Sequence, residues 1–378
     1  MTRPVRSARR ALLCAALAVS IAACGSAGTE DAAGDRDGSS APTPEGVIGD
    51  EYCTPATAQS EGWVEPLEGG ADAVLPVTVT DFTGDQVEVT DTSRLLALDT
   101  YGTLATTVYA LGLGDQLVGR DVSTGIPELA DLPVVTHNGH ELSAEAILDL
   151  NPSVVLTDYS IGPLEVQLQL KDAGIPVVTL DSTRNRAVIG EQIEAVAEVL
   201  GVPERGTQLA ERVEAEVAEA EAQVASVLPE DPDERVRMVF LYLRGTAGVY
   251  YWFGEGSGAD DLIEALGGVD VASEVGLEGS RPINAEGLVK SEPELYVMMS
   301  HGLDSVGGVD GLLEVPGVAD TTAGINGCVV DMTDYEVLSF GPQFPHTLRA
   351  LATAIYGTDG SSGSGGSGGS GGAERTAP

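Results

Sequence analysis

The chain contains a weak internal repeat, and this repeat limits the fold to one built from two similar units. At residues 136–155 it has a polar loop, the tripeptide Ser-Ala-Glu, an apolar stretch, Asn-Pro and a run of valines. At residues 280–296, an Arg-Pro loop is followed in the same register by Asn-Ala-Glu, an apolar pair, Glu-Pro and a short apolar run. We therefore interpret the chain as two copies of one unit.

Each copy is predicted to form a loop, a short helix and a buried strand. Ser143 and Asn284 stand where helix N-caps are expected, and Glu145 and Glu286 fall in the first helical turn. The Asn-Pro or Glu-Pro dipeptide ends each helix, because the residue before proline resists the helical conformation. Two related α/β lobes leave a cleft between them, and such clefts bind ligands.

Apolar runs alternate with helical stretches in both halves, which is typical of α/β lobes with central parallel sheets. The predicted strands lie at 94–98, 134–135, 154–156, 177–180, 236–242, 295–299 and 328–332, with a hairpin at 77–89 and helices at 259–266 and 343–356. Apolar residues recur at helical spacing over 187–228, with a break at Gly201-Val202-Pro203. This segment predicts two long linking helices between the lobes.

The predicted domain boundaries follow composition as well as periodicity. They are a lipoprotein signal peptide at 1–23, a lipid-anchored flexible tether at 24–75, an N-terminal lobe with its leading hairpin at 76–182, linking helices at 183–230, a C-terminal lobe at 231–357 and a Gly/Ser-rich tail at 358–378. The tether and the tail contain few large apolar residues, so we expect them to be disordered.

The N-terminus has the pattern of an export signal. Four arginines precede an apolar stretch, residues 11–23, that is too short to span a bilayer. The following Ile21-Ala22-Ala23-Cys24 resembles the bacterial lipobox, in which the signal is cleaved before an acylated cysteine. We expect the mature protein to be anchored through Cys24 on the outer face of the cytoplasmic membrane, with no transmembrane helix.

Two cysteines remain after the signal and the anchor are set aside, Cys53 and Cys328. In an exported chain two such cysteines more often pair than stay free, which predicts a disulfide between them. The bond would attach the N-terminal segment to the second lobe. The alternative is a pair of unrelated buried thiols.

Several classes of function find no support in the sequence. The net charge of −40 argues against nucleic acid as a partner. The Gly-rich run at 254–258 lacks the order of a phosphate-binding loop, and the chain has no His-Glu-x-x-His or Gly-x-Ser-x-Gly sequence. No hydrolase is indicated.

The chain has four histidines, and His140 is the strongest ligand candidate among them. His137 and His140 lie in a glycine-containing loop before a predicted helix, and α/β proteins place ligand contacts in such loops. His140 adjoins the repeated helix start, where the second copy has Arg281. The alternative for both histidines is a surface turn. The sequence assigns no role to His301.

Tyr242 and Arg244 lie two residues apart at the end of a predicted strand, so their side chains share a face. A neighbouring guanidinium favours phenolate over phenol by charge attraction. Phenolate is a hard ligand that suits ferric iron. The alternative is a tyrosine and an arginine that each bond locally at a strand edge.

Two further features have both a functional and a structural explanation. Aromatic residues make up only 4% of the chain, yet six lie between Phe240 and Phe253. They could stack on a flat apolar ligand or pack a core. Glu145 and Glu286 could complement their helix dipoles, or could form a matched pair of partner contacts, one in each lobe.

Residues 90–357 resemble the lipoprotein substrate-binding components of ABC importers for iron chelates, haem and corrinoids, whose two lobes have a class III periplasmic-binding-protein arrangement. Within this group the chain is most similar to the haemin-binding lipoproteins of actinobacteria, the HmuT type. The resemblance rests on the duplicated units, the linking helices, the lipobox and four motifs. The motifs are Asn138-Gly139-His140-Glu141-Leu142, Tyr242-Leu243-Arg244-Gly245, Asp304-Ser305-Val306-Gly307-Gly308-Val309-Asp310-Gly311-Leu312-Leu313 and Leu338-Ser339-Phe340-Gly341-Pro342.

The resemblance implies a set of site residues. His140 and Tyr242 would be the axial ligands of ferric haem b, and Arg244 would bond to the tyrosine. Glu145 and Glu286 would dock on arginines of the permease. Arg281 is a weaker candidate for a propionate contact. At residues 341–345 the chain has Gly-Pro-Gln-Phe-Pro where the family often has Arg-Thr before the last proline, so the resemblance does not extend to a contact from that arginine.

The expected function is therefore capture of ferric haem between the lobes and delivery to an ABC permease with its ATPase, for iron uptake. Surface haemoproteins or haemophores are the expected donors. The alternative is a ferric-siderophore or corrinoid binder of the same fold. A third class, a cell-surface enzyme or an adhesion module, remains, but no nucleophile and base can be named for an enzyme.

Overall fold

The computed structural model of the protein describes residues 46–48, 53–70 and 72–357. The predicted signal peptide, Cys24 and the Gly/Ser-rich tail lie outside the described residues. Within those ranges no helix has the length and hydrophobicity that a membrane span needs.

The first part of the chain forms short strands and helices in alternation. In chain order they are β1 (Ala56–Ala58), β2 (Val77–Thr80), β3 (Gln86–Val89), β4 (Leu95–Leu98), α1 (Thr103–Val108), β5 (Thr136–His137), β6 (Glu141–Leu142), α2 (Ala144–Asp149), β7 (Val154–Thr157), α3 (Leu164–Asp172) and β8 (Val177–Thr179). The predicted hairpin is confirmed, because β2 and β3 pair in antiparallel register.

The first lobe is built on the parallel sheet β4-β7-β8, as predicted. Every residue of these three strands is buried, which explains why they appear in the sequence as continuous apolar runs. The predicted strand at 134–135 makes only one bridge, between Val134 and Arg120. The chain then enters the small antiparallel pair β5-β6, whose connecting turn carries His140.

Two helices join the lobes, α4 (Ile189–Val199) and α5 (Pro203–Ala225). The break between them falls at the predicted Gly-Val-Pro, and Pro203 occupies the first turn of α5, where its missing N–H costs nothing. The 23 residues of α5 extend over roughly 34 Å at the helical rise. The helices pack side by side, so they form a long, stiff link.

The second lobe has a larger set of elements. They are β9 (Arg237–Arg244), β10 (Val249–Phe253), α6 (Ala259–Ala265), β11 (Val269–Asp270), α7 (Val271–Glu274), β12 (Ser280–Pro282), α8 (Ala285–Ser291), β13 (Leu295–Met299), α9 (Ser300–Val306), α10 (Gly308–Leu312), α11 (Thr322–Asn326), β14 (Val329–Met332) and α12 (Phe344–Tyr356). The predicted strands and helices of this half are confirmed, apart from shifts of one or two residues at their ends.

The sheet of the second lobe is mixed, whereas the sequence predicted a parallel one. Its order is β1-β14-β13-β9-β10-β12, with β11 beside the start of β9. The strands β1, β14, β13, β9 and β11 are parallel, whereas β10 runs antiparallel to both of its neighbours, β9 and β12. Only four residues connect β9 to β10, and so short a connection permits only a hairpin.

Part of the predicted flexible tether is instead packed on the second lobe. Strand β1 pairs with β14, and Val64 and Leu67 are buried. Arg205 of α5 also donates hydrogen bonds to the carbonyl oxygens of Leu67 and Glu68. The tether prediction is therefore wrong for residues 53–70, because a short segment of small residues completes a sheet edge without a strong apolar pattern of its own.

The predicted disulfide between Cys53 and Cys328 is confirmed, with a Cα–Cα distance of 4.9 Å. It closes a loop of 275 residues just before β1 and β14 begin to pair. We expect the double variant Cys53→Ser/Cys328→Ser to unfold with a free energy lower by about 2–5 kcal/mol in urea titrations. The wild type with a thiol reductant should match the variant, and equal stability with and without the bond would contradict this assignment.

Candidate functional site

The candidate site lies where parallel strands of both lobes end, which is where α/β folds bind ligands. In the second lobe Arg244 ends β9, His301 follows β13 and Asp334 follows β14. In the first lobe Asp99 follows β4 and Asp158 follows β7. The two lobes meet here, since a Cβ atom at Gly125 of the first lobe would lie 2.5 Å from the Cβ of Tyr335 in the second.

Tyr242 stands at the outer end of an aromatic stack on one face of the second sheet. Its ring stacks on Phe253 with 5.8 Å between centroids, and Phe253 lies 5.4 Å from the buried Phe240. The aromatic cluster is thus partly core, and this packing fixes the tyrosine ring. The hydroxyl group of Tyr242 has no hydrogen-bond partner among the described residues.

Arg244 covers the same tyrosine, with its guanidinium carbon 4.5 Å from the ring centroid of Tyr242. Its hydrogen bonds go to Asp334 Oδ2 and to the carbonyl oxygen of Leu243, both at 3.1 Å, rather than to the tyrosine hydroxyl. Asp334 also accepts a bond from the backbone N–H of His301, whose ring nitrogen Nδ1 lies 3.5 Å from the carboxylate. His301 is therefore at the cleft.

His140 lies on the turn between β5 and β6, after Asn138 and Gly139, which both have positive φ. Its ring is half-buried, and Nδ1 lies 3.3 Å from the hydroxyl oxygen of Ser123. Burial lowers the pKa of His140, and the positive charge of Arg244 adds to this effect, whereas nearby carboxylates oppose it. The imidazole is therefore neutral at pH 7, and Nε2 has no partner among the described residues.

Arg244 is related to both candidate ligands, because it covers the Tyr242 ring and its charge contributes to the lowered pKa of His140. A guanidinium that lies over the Tyr242 ring in one lobe is close enough to disfavour a charge on His140 in the other. The first lobe thus carries a neutral imidazole and the second lobe a phenol, each at the strand ends of its lobe. Both are groups that bind ferric iron in haem proteins.

Beneath this part of the cleft the first lobe contains a buried charged cluster, which the sequence analysis missed. Arg184 bonds to Asp99 at 3.1 Å and to Asp158 at 2.6 Å. Burial, with the charge of Asp99 as the second cause, raises the pKa of Asp121 to about 7 and that of Asp158 to about 6. Asp99 and Asp158 directly follow predicted strands, a position that could have identified them.

This cluster predicts that stability depends on pH. Asp121 and Asp158 have pKa values above the ordinary value near 3.9, so the folded protein binds their protons more tightly than the unfolded chain. The stability they contribute is complete below about pH 4 and is lost as the pH rises through about 6 to 7. We expect the free energy of unfolding to decrease between about pH 4 and 7, by at most about 1.4 kcal/mol per pH unit for each carboxyl group.

Asp121→Asn should reduce that slope when urea unfolding is measured at several pH values. Asp172→Asn, at an exposed carboxylate, should leave the slope unchanged. A wild-type stability that is constant or that rises from about pH 4 to 7 would contradict the assignment of these buried carboxyl groups.

The structure corrects the prediction for Arg281. In β12 this residue pairs with Trp252, whereas its neighbour Pro282 pairs with Tyr251, which in turn is paired with Tyr242. Paired residues in antiparallel strands share a face and successive residues alternate, so Arg281 lies on the sheet face opposite to Tyr242. It is exposed on that face, away from the candidate ligand Tyr242.

Glu145 and Glu286 occupy equivalent places in the two lobes. They lie in the first turns of α2 and α8, and the predicted N-caps are confirmed: Ser143 accepts from the N–H of Ala146 and Asn284 accepts from that of Gly287. Both glutamates are exposed, and neither carboxylate has a partner among the described residues. His137, in contrast, lies 3.4 Å from the carboxylate of Glu141 at the surface.

Two α/β lobes joined by long helices, with a ligand cleft at the strand ends, define the class of two-lobed solute-binding proteins. The family model described as periplasmic binding protein matches residues 100–336. The chain therefore belongs to the periplasmic binding protein family. The predicted fold class and the expectation of a binding protein rather than an enzyme are confirmed.

Solved structures similar to this chain include haem-binding proteins. The crystal structure of the heme binding protein HmuT has 47% sequence identity and a TM-score of 0.77, and the match covers 81% of this chain and 98% of that one. The apo form of the periplasmic heme-binding protein RhuT from Roseiflexus sp. RS-1 has 35% identity and a TM-score of 0.64, with 70% and 98% covered.

A third relative comes from sequence alone. The uncharacterized ABC transporter substrate-binding lipoprotein YvrC of Bacillus subtilis (strain 168) is 24% identical over 228 residues, which are 59% of this chain and 69% of YvrC. Other solved structures of HmuT are variants in which a tyrosine, a histidine or an arginine is replaced by alanine. The tyrosine and the arginine are two positions apart in HmuT, as are Tyr242 and Arg244 in this chain.

Proposed function

We propose that the protein binds ferric haem as its cargo between the two lobes, with His140 Nε2 and the Tyr242 phenolate as axial ligands of the iron. The observation that carries this proposal is the pair of unpartnered ligand atoms, one in each lobe, that share Arg244 as a neighbour. The related haem-binding proteins support the same ligand, as do the HmuT variants at tyrosine, histidine and arginine.

The chemistry of these two groups favours ferric haem over other cargo. A phenolate is a hard anionic donor, and its bond stabilises ferric more than ferrous iron. The lowered pKa of His140 keeps its imidazole in the unprotonated form that can donate a lone pair to iron. Arg244 supplies a positive charge that compensates the phenolate, after a movement of its guanidinium from over the ring toward the oxygen.

Delivery follows from the two exposed glutamates and the stiff link between the lobes. Glu145 and Glu286 dock on cationic side chains of an ABC permease, which then separates the lobes and releases the haem. A lipid on Cys24 keeps the protein on the outer face of the cytoplasmic membrane, within reach of that permease. Haem reaches the cleft from surface haemoproteins or haemophores.

The experiment that tests the proposed cargo is a titration of the chain from residue 25 onward with haemin, followed by visible absorption. We expect a saturable shift of the Soret band with one haem bound per protein. Ferric siderophores and corrinoids should not compete. A titration without a saturable shift, or displacement of haem by a ferric siderophore, would contradict the proposed cargo.

A further inference from the structure

His140 is a ligand candidate on a turn, and a side chain on a turn needs support to hold one orientation. The two residues before it provide little support, since Gly139 has no side chain and the side chain of Asn138 bonds to Glu141. Among the described residues the one hydrogen-bond partner of the His140 ring is the hydroxyl oxygen of Ser123, 3.3 Å from Nδ1. The orientation of His140 therefore depends on how firmly Ser123 is held.

Ser123 belongs to a turn that is fixed by a buried carboxylate. Asp121 is fully buried, and its Oδ1 accepts from the backbone N–H groups of Ser123 and Thr124, each at 2.8 Å. Its Oδ2 accepts from the backbone N–H of Asp99 at 3.2 Å. The turn is thus tied to the end of β4 rather than free to move with the surface.

The same turn is packed from both sides. A Cβ atom at Gly102 would lie 2.5 Å from the carbonyl oxygen of Ser123, so the helix start behind the turn contacts it directly. On the other side Tyr335 of the second lobe lies against Gly125. In addition, the backbone N–H of Val122 donates to the hydroxyl of Thr136 in β5, the strand that leads into the His140 turn.

We propose that Ser123 is a positioning residue that holds His140 in the tautomer and orientation required for binding iron. In this arrangement Nδ1–H donates to the Ser123 hydroxyl oxygen, so the lone pair of Nε2 is available to the metal. Partners behind a metal-bound histidine fix its tautomer and raise its strength as a ligand in this way. The inference rests on the proposed haem function. It adds a residue, Ser123, that contacts the iron ligand His140 rather than the haem itself.

The variant Ser123→Ala tests the proposal, because Asp121 bonds to the backbone of the turn and should keep it folded. We expect haemin affinity to fall by roughly 10–100-fold, chiefly through faster dissociation. The absorption spectrum should shift toward that of His140→Ala. Ser123→Thr keeps the hydroxyl group and should retain most of the affinity.

A matched control is available in the same lobe. Ser160 stands two residues after Asp158 and bonds to its carboxylate through both N–H and hydroxyl, without contact to His140. Ser160→Ala should lower stability but leave the haem spectrum and affinity unchanged. If Ser160→Ala and Ser123→Ala weaken haem binding equally, the effect is general destabilisation and the positioning role is wrong.

A second measurement separates this inference from the proposed function, since it needs no haem. Nitrogen NMR of the ligand-free protein, labelled with 15N-histidine, reports which imidazole nitrogen of His140 carries the proton. The chain has only four histidines, so His140→Ala identifies the signal. We expect the proton on Nδ1 in the wild type and a change of tautomer population in Ser123→Ala. The same tautomers in both would overturn the inference even if haem binds, whereas failure of the wild type to bind haemin would overturn the proposed function alone.

Discussion

Replacing Tyr242 with phenylalanine is expected to remove most of the affinity for haemin. The loss should exceed the roughly 100-fold upper range for partners behind a metal ligand, because a direct bond to iron is removed while the ring stays stacked on Phe253. The visible spectrum should lose the absorption that arises from phenolate bound to ferric iron. Equilibrium titration and dissociation to a haem acceptor would measure both effects.

His140→Ala should weaken binding less, because the anionic phenolate remains on ferric iron. The double variant of both ligands should show no saturable Soret shift. Tyr250→Phe is the matched control, since Tyr250 lies in the same hairpin and pairs with Leu243 on the opposite sheet face. If Tyr242→Phe binds haemin as the control does, with an unchanged spectrum, Tyr242 is not a ligand.

The second large effect is expected from the double variant Glu145→Ala/Glu286→Ala, which should abolish haem uptake by cells while haemin affinity stays at the wild-type value. Both carboxylates are exposed and unpartnered among the described residues, so their removal leaves the fold and the cleft intact. Each would lose a charge pair with the permease, and truncation of a buried interface charge pair costs about 2–5 kcal/mol. Uptake of haem iron by a strain that depends on this protein would measure the effect.

The control for this experiment is Glu165→Ala/Glu204→Ala. Both glutamates are exposed and lie in the first turns of α3 and α5, so the control removes the same charge and the same helix-dipole contribution. It should support normal uptake. Loss of haemin affinity in the Glu145/Glu286 variant, or equal loss of uptake in the control, would refute the docking role.

The features that sequence analysis predicted well are those that local patterns determine. The helix starts at Ser143 and Asn284 follow from capping, and the break at Pro203 follows from the missing N–H of proline. The buried strands follow from continuous apolar runs. The disulfide between Cys53 and Cys328 followed from cysteine counting in an exported chain.

The features that it missed depend on contacts between distant segments. Strand β1 forms only because β14 offers an open edge. The two strands are far apart in the sequence: Cys53 and Cys328, which precede them, are separated by 275 residues. The position of Arg281 depends on the register between β10 and β12, and a shift of one residue reverses its face. Ser123 and Asp334 gain their importance from His140 and Arg244, which only the folded chain brings near them.

The aromatic cluster between Phe240 and Phe253 had two explanations, core packing and ligand contact, and each applies to different residues. Phe240 is fully buried, and Phe253 packs on it, so these rings are core. Tyr242 is stacked on the same core, and its hydroxyl has no partner among the described residues. The core thus holds the ring of Tyr242, whose hydroxyl is the candidate ligand, in a fixed position. Composition alone could not separate this residue from the core aromatic residues.

The most direct test is a crystal structure of the protein grown with haemin, with an anomalous difference map recorded at the iron absorption edge. The account predicts a single iron peak between the lobes, within bonding distance of His140 Nε2 and of the Tyr242 hydroxyl oxygen. An iron peak outside the cleft, or one in the cleft that is bonded to neither side chain, would contradict it.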